Sequence, residues 1–136
     1  MKGLSIYWFL LLGVSIGCQD SSRAAEAEHA LIKVSIYYAN AAENTFDHGY
    51  YAQNHMPMLA DLFGKKMIRY EIDRGMNGRT PEEAPPFLAV GHLYFLQLSD
   101  YQEAFGQHAE QILSDIPNYT NVQPTVQISQ VVHQIQ

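Results

Sequence analysis

Beyond position 30 the chain predicts one α+β domain, with four strands and two helices in the order strand, helix, strand, strand, helix, strand. Three observations carry this reading. Residues 31–38 and 67–74 alternate in the two-residue rhythm of strands, apolar residues recur at helical spacing from Phe46 to Phe63 and from Ala104 to Leu113, and Gly, Pro and Asn cluster between these runs.

LIKVSIYY at 31–38 sets Ile32, Val34, Ile36 and Tyr38 on one side and Leu31, Lys33, Ser35 and Tyr37 on the other, as a first strand requires. After the turn NAAEN, the first helix runs from Phe46 to Phe63, with Gly64 as its stop and a bend near Pro57, which lacks an amide donor and crowds the preceding turn. KKMIRYEIDRG follows as a strand with Ile68, Tyr70, Ile72 and Arg74 opposite Met67, Arg69, Glu71 and Asp73. The segment MNGRTPEEAPP reads as a long loop. FLAVGHLYFLQL at 87–98 is apolar on both faces and predicts an inner strand covered on both sides, with Gly91 admitting a close approach to its backbone. Ser99 or Asp100 can cap a second helix that Pro117 ends, and VQPTVQISQVV at 122–132 gives the last strand, with Val122, Pro124, Val126 and Ile128 on its apolar side. This order is the ferredoxin-like split βαββαβ arrangement. Two helices cover only one face of such a sheet, so a second copy is expected on the other, giving a homodimer that packs sheet to sheet.

The N-terminal segment stands apart from the domain. MKGLSIYWFLLLGVSIGC has one positive charge, Lys2, before an apolar run from Leu4 to Ile16, which reads as a secretory signal over residues 1–17. The run is shorter than the ~20 apolar residues of a permanent membrane span. Cys18, the only cysteine, stands where the lipobox of bacterial lipoproteins places its lipidated residue. By that resemblance Cys18 begins the mature chain and carries the lipid, residues 18–30 form a polar tether, and 31–136 form the domain. Ser15 departs from the usual leucine of that motif, and ordinary cleavage near Ala25 or Ala27 is the rival reading. Either way the protein is expected to be exported to the cell envelope or periplasm, anchored to the membrane through Cys18 if that residue is lipidated. The full chain has 8 Lys and Arg against 14 Asp and Glu, a formal net charge of −6, which argues against nucleic acid as a partner.

Two segments break the rules that a packed core follows, FDHGYYAQNHMPML at 46–59 and DIPNYTNVQPTVQIS at 115–129. If the first helix is continuous, His48, Tyr51 and His55 share a face at intervals of three and four. An imidazole near neutrality can give or take a proton, and a neighbouring phenol can hold a substrate oxygen. The candidate catalytic residues are therefore His55 and Tyr51, then Tyr50, His48 and Asp115. The plainer reading is that His55 bonds a carbonyl freed by Pro57 while the tyrosines pack on the sheet. Asp115 sits at a helix C-terminus, where the dipole disfavours a carboxylate, so another group must hold it there; the amides of Asn118 and Tyr119 are available. His92 and Tyr94 on the third strand, with Asn121 and Gln127, are candidate substrate-binding residues, although His92 also suits a satisfied core position.

No metal is assigned, because His48 and His55 on one helix lie about 10 Å apart by helix rise, too far to share an ion. No cofactor is named either. The glycines at 75 and 78 follow a strand without opening a helix, which leaves no dinucleotide or phosphate loop, and no serine nucleophile elbow is present.

Phe46, Tyr50 and Tyr51, HMP at 55–57, the prolines at 85 and 86, and DIPNYTNVQPTVQIS at 115–129 together resemble the EthD family, named for ethyl tert-butyl ether degradation. The resemblance spans nearly all of residues 31–133. It implies a dimeric α/β barrel of ferredoxin-like protomers and a reductase label whose reaction is poorly defined for most members. Such a protein would be an oxidoreductase or auxiliary degradation enzyme acting on a small carbonyl, phenolic or ether-derived substrate in the barrel cavity. The alternative is a module at the cell envelope that binds a hydrophobic small molecule without changing it. An export signal departs from the cytoplasmic habit of the family.

Overall fold

The computed structural model describes residues 30–133. The signal segment 1–17, Cys18 and all of the tether but Ala30 lie outside the described residues. Strand β1 spans Ile32–Ala39. The first helical element, α1, consists of His48–Tyr50, a π-helical turn Tyr51–His55, and Met56–Phe63. Strands β2 (Met67–Arg74) and β3 (Phe87–Phe95) follow, then helix α2 (Leu98–Asp115) and strand β4 (Thr125–Gln130). The four strands form one antiparallel sheet in the order β2-β3-β1-β4, with β3 and β1 in the middle. Element order and sheet order together are those of the split βαββαβ arrangement.

Both helices pack on one sheet face. Val34 and Tyr38 of β1, Ala89, Leu93 and Phe95 of β3, Leu59 and Phe63 of α1, and Ile112 of α2 build the core between the layers. The bend expected at Pro57 is realised as the π turn just before it, closed by the Met56 amide on the Tyr51 carbonyl. A π turn admits one more residue per turn than an α-helix, a feature found mostly at functional sites. Here it stacks the rings of Tyr51 and His55, whose centroids lie 5.4 Å apart with planes 17° from parallel.

The alternation expected in β2 is shifted by a bulge. Met67 pairs with Phe95 and Arg69 with Tyr94, so Ile68 is left over and exposed. Met67, Tyr70 and Ile72 pack on the core instead of Ile68, Tyr70 and Ile72. The last strand is shorter than its pattern suggests, because Pro124 cannot donate to a ladder and pairing starts at Thr125. Helix α2 starts at Leu98 behind Gln97, with no side-chain cap from Ser99 or Asp100.

The sheet face away from the helices is polar, whereas the sequence of β3 suggests apolar residues on both sides. His92 accepts from or donates to Ser35 Oγ at 2.9 Å through Nδ1 and meets Asp73 at 3.0 Å through Nε2. Tyr94 donates to Glu71 at 2.8 Å, and the Arg69 guanidinium lies over the Tyr94 ring at 3.7 Å from its centroid. The neighbouring strands supply these partners, and no single strand's pattern reveals them.

Candidate functional site

Helix α1 supplies a histidine and the end of α2 a carboxylate, and the fold brings them together. His55 Nδ1 lies 2.7 Å from Asp115 Oδ2, with the imidazole almost fully buried at 3% exposure. On the other carboxylate oxygen, Oδ1, the Tyr50 hydroxyl donates at 2.8 Å and the Asn118 side-chain amide at 2.9 Å. These three contacts hold a carboxylate at a helix end where the dipole alone would repel it. The Asn118 contact comes from its side chain, while the Tyr119 amide turns to the Ile116 carbonyl and gives Asp115 nothing. His55 likewise bonds Asp115 rather than a carbonyl freed by Pro57.

The opposite edge of the imidazole faces a pair of phenols. Tyr119 Oη stands 3.3 Å from His55 Nε2, and Tyr38 Oη stands 2.8 Å from Tyr119 Oη, all buried. Tyr38, His55 and Tyr119 form the polar end of a cavity between the sheet and the two helices. The remaining wall is mainly apolar, including Leu59, Leu93, Phe105, Ile112, Leu113 and Val126, with Tyr101 as one further phenol. The cavity has a volume of about 90 Å³ and an open mouth, smaller than the ~300–1,000 Å³ typical of small-molecule sites.

Electrostatics follow from this placement. Partial burial raises the Asp115 pKa, but the bonds from Asn118, His55 and Tyr50 outweigh it and leave the carboxyl below its ordinary value. Burial lowers the His55 pKa from 6.5, and Asp115 offsets only part of that shift, so the imidazole is neutral at neutral pH. Desolvation, reinforced by Tyr38, pushes the Tyr119 hydroxyl far above the ordinary range of a phenol, and burial also raises Tyr38. A buried neutral imidazole backed by a carboxylate and faced by two neutral phenols can accept or deliver one proton at the polar end of a mainly apolar cavity.

The other expected site residues lie elsewhere. Tyr51 is fully buried and stacks on His55, but its hydroxyl turns away from the cavity toward Gly91, finds no hydrogen-bond partner, and has its pKa raised well above normal by burial. The hydroxyls beside His55 on the cavity wall are therefore those of Tyr119 and Tyr38, not Tyr51. The π turn carries His48 out of the stripe it was expected to share with His55, and its ring rests on Phe46 with centroids 4.8 Å apart. Burial, then the charge of Arg74, lowers the His48 pKa. His92 and Tyr94 lie on the polar sheet face, as does Gln127, which pairs with Ser35 in register and donates to Ser129. None of the three lines the cavity. Asn121 is a loop clasp, accepting from the Thr45 amide at 2.8 Å and donating to the Glu43 carbonyl at 2.9 Å. The sequence reading missed Tyr38 and Tyr119 as site residues. Tyr38 sits in an ordinary strand pattern, though Tyr119 falls inside the irregular 115–129 segment.

The fold and the site together define a class: a ferredoxin-like α+β domain with a buried histidine–carboxylate pair at the polar end of an apolar cavity. The EthD domain matches residues 41–123, which include every member of the pair and its phenolic neighbours except Tyr38. An EthD-like protein from Ralstonia eutropha JMP134 is 33% identical, with 79% of this chain and 96% of that chain covered and a TM-score of 0.75. A protein of the ethyl tert-butyl ether degradation (EthD) family from Bacillus halodurans C-125 is 12% identical over 70% of this chain and 96% of that one, with a TM-score of 0.48. No curated protein matches the chain. The chain belongs to the EthD family.

Proposed function

We propose that this protein is an exported small-molecule enzyme that moves a proton on a mainly apolar substrate, with His55 as the acid–base group and Asp115 as the residue that orients it. The observation that carries this reading is the neutral, buried imidazole held by Asp115 at the polar end of the cavity. Substrates in keeping with the family label are small carbonyl, phenolic or ether-derived compounds. An oxidoreductase outcome requires an electron donor of its own, and the residues named here supply the proton half of such a reaction. In the same proposal two protomers pack their polar sheet faces together as a dimeric α/β barrel, and lipid on Cys18 ties the dimer to the cell envelope.

The test is turnover of such compounds by the full chain, followed by mass spectrometry. His55→Ala is expected to lower turnover by about 10²- to 10⁴-fold, the range of general acid–base catalysis, while the protein stays folded. Because the base must be neutral to accept a proton, and burial holds its pKa below 6.5, turnover should rise with pH through a point below 6.5 and be flat above it. Full activity in His55→Ala would overturn the assignment. Saturable binding with no product would make the domain a binding module at the envelope instead.

A further inference from the structure

The hydrogen bonds around His55 have a forced direction, and that direction selects a kind of ligand. Asp115 is a carboxylate and only accepts, so the proton on the His55 ring sits at Nδ1 and points at Asp115. Nε2 is then a bare lone pair, and the hydroxyl 3.3 Å away, that of Tyr119, must donate to it. A hydroxyl has one proton. With its own committed to His55, Tyr119 can meet Tyr38 at 2.8 Å only as an acceptor, so Tyr38 donates to Tyr119. Every proton in the row Tyr38, Tyr119, His55 therefore points toward Asp115. The Tyr51 hydroxyl also stands near the Tyr38 oxygen but outside hydrogen-bond geometry, so Tyr38 keeps an acceptor lone pair for the cavity and no free proton.

We propose that the cavity selects apolar molecules carrying one hydroxyl, such as phenols and enols, by having that hydroxyl donate to Tyr38, and that Tyr38 and Tyr119 relay its proton to His55. This rests on the cavity being the place where His55 works, as set out above. In the relay the ligand O–H bond breaks as Tyr38 takes its proton. Tyr38 passes its own proton to Tyr119, which passes its own to Nε2. Three O–H bonds break, while two O–H bonds and one N–H bond form. The ligand is left as an oxyanion and His55 as an imidazolium held by Asp115, with no change in oxidation state. A molecule whose oxygen can only accept, such as an ether, meets a lone pair with a lone pair and leaves both unpaired beside buried phenols, which is costly. Tyr101 apart, the remainder of the wall is apolar and disfavours a second polar group on the ligand.

The experiment compares 4-ethylphenol, its methyl ether 4-ethylanisole, and ethylbenzene, by calorimetric titration into the full chain. The phenol is expected to bind at least about tenfold more tightly than either analogue, as expected when a buried polar group would otherwise go unpaired. Tyr38→Phe should abolish that preference by weakening the phenol alone, with a melting temperature close to the parent. Tyr119→Phe provides a second reading: it frees the Tyr38 proton to point into the cavity, so 4-ethylanisole should gain on 4-ethylphenol. Equal binding of the three compounds, survival of the preference in Tyr38→Phe, or failure of all three to bind would each overturn the proposal. None of these readings depends on turnover. A lost phenol preference alongside an inactive His55→Ala would sink the relay and leave the acid–base function standing, whereas a kept preference alongside a fully active His55→Ala would sink the acid–base function and the relay with it, leaving only hydroxyl selection by Tyr38.

Discussion

Gly91→Ala is expected to destabilise the domain severely, and Tyr51→Phe is expected to rescue it. A Cβ on Gly91 would be driven into the Tyr51 hydroxyl, deep beneath the sheet. Both residues are locked, Gly91 in the central strand β3 and Tyr51 in the π turn between the stacked His55 ring and the aromatic rings of Tyr38 and Phe46. Overpacking of this kind costs about 1–3 kcal/mol and at times more. For a domain of this size each kcal/mol lowers the melting temperature by about 4–8 °C. Removing the hydroxyl leaves the Tyr51 ring carbon Cζ at 3.4 Å and Met56 Cε at 3.8 Å from the new methyl, both ordinary contacts. Tyr51→Phe alone should be neutral or stabilising by about 1 kcal/mol, since it deletes a buried hydroxyl that no group satisfies. Thermal melts of the two single variants and the double variant decide the matter. If the double variant is no more stable than Gly91→Ala, the clash is not with that oxygen. Turnover by Tyr51→Phe should match the parent, because the hydroxyl never reaches the cavity.

Asp115→Asn should abolish most turnover without unfolding the protein, through the tautomer of a residue it does not replace. Tyr50 and the Asn118 amide both donate to Oδ1, so an asparagine would keep its carbonyl oxygen there and turn its NH2 group to His55 Nδ1. Nδ1 would then accept, the ring proton would move to Nε2, and the lone pair facing Tyr119 would vanish. Loss of the base is expected to cost about 10²- to 10⁴-fold in turnover. The stability cost should be about 1–2 kcal/mol, as charge-assisted bonds become neutral ones. Nitrogen NMR of the imidazole in both proteins reads the tautomer directly. If Nε2 remained unprotonated in Asp115→Asn while turnover fell, the carboxylate would be acting by its charge and not by orientation.

Much of the architecture is legible in the chain because the strands and helices carry clean two-residue and helical periods, and Gly64 and Pro117 punctuate them. What escaped are features decided across elements. The bulge at Ile68 depends on the register that β3 imposes on β2. The polar sheet face becomes visible only when Ser35, Glu71 and Asp73 are set beside His92 and Tyr94. His55 and Asp115 were readable as candidates because each breaks a local rule, one beside a helix-internal proline and the other as a carboxylate at a helix end. Their pairing across 60 residues was not readable, since sequence separation says nothing of proximity. The π turn reassigned the rest: helical spacing placed His48, Tyr51 and His55 on one stripe, and the wider turn kept Tyr51 stacked on His55 while His48 turned to Phe46. Tyr38 stayed hidden because an aromatic on the apolar side of a strand is what any core would contain.

The pairing of His55 with Asp115 also sets how the molecule can breathe. It ties the middle of α1 to the last residue of α2, and at the opposite end of the pair Lys66, just after α1, reaches Glu103 on α2 at 2.6 Å. Among the described residues no hydrogen bond or ion pair joins α2 to β4, and the side chains flanking that seam, Leu113 on the helix and Val126 and Ile128 on the strand, are about half exposed. The two helices are thus latched to each other and pack on the inner strands β1 and β3, while α2 has no polar tie to β4. The opening expected from this arrangement is a hinge that lifts α2 away from β4 and exposes the cavity from that side, while the latched edge stays closed. In hydrogen–deuterium exchange β4 should lose its protons well before β1 and β3, and a ligand lodged in the cavity should slow β4 most.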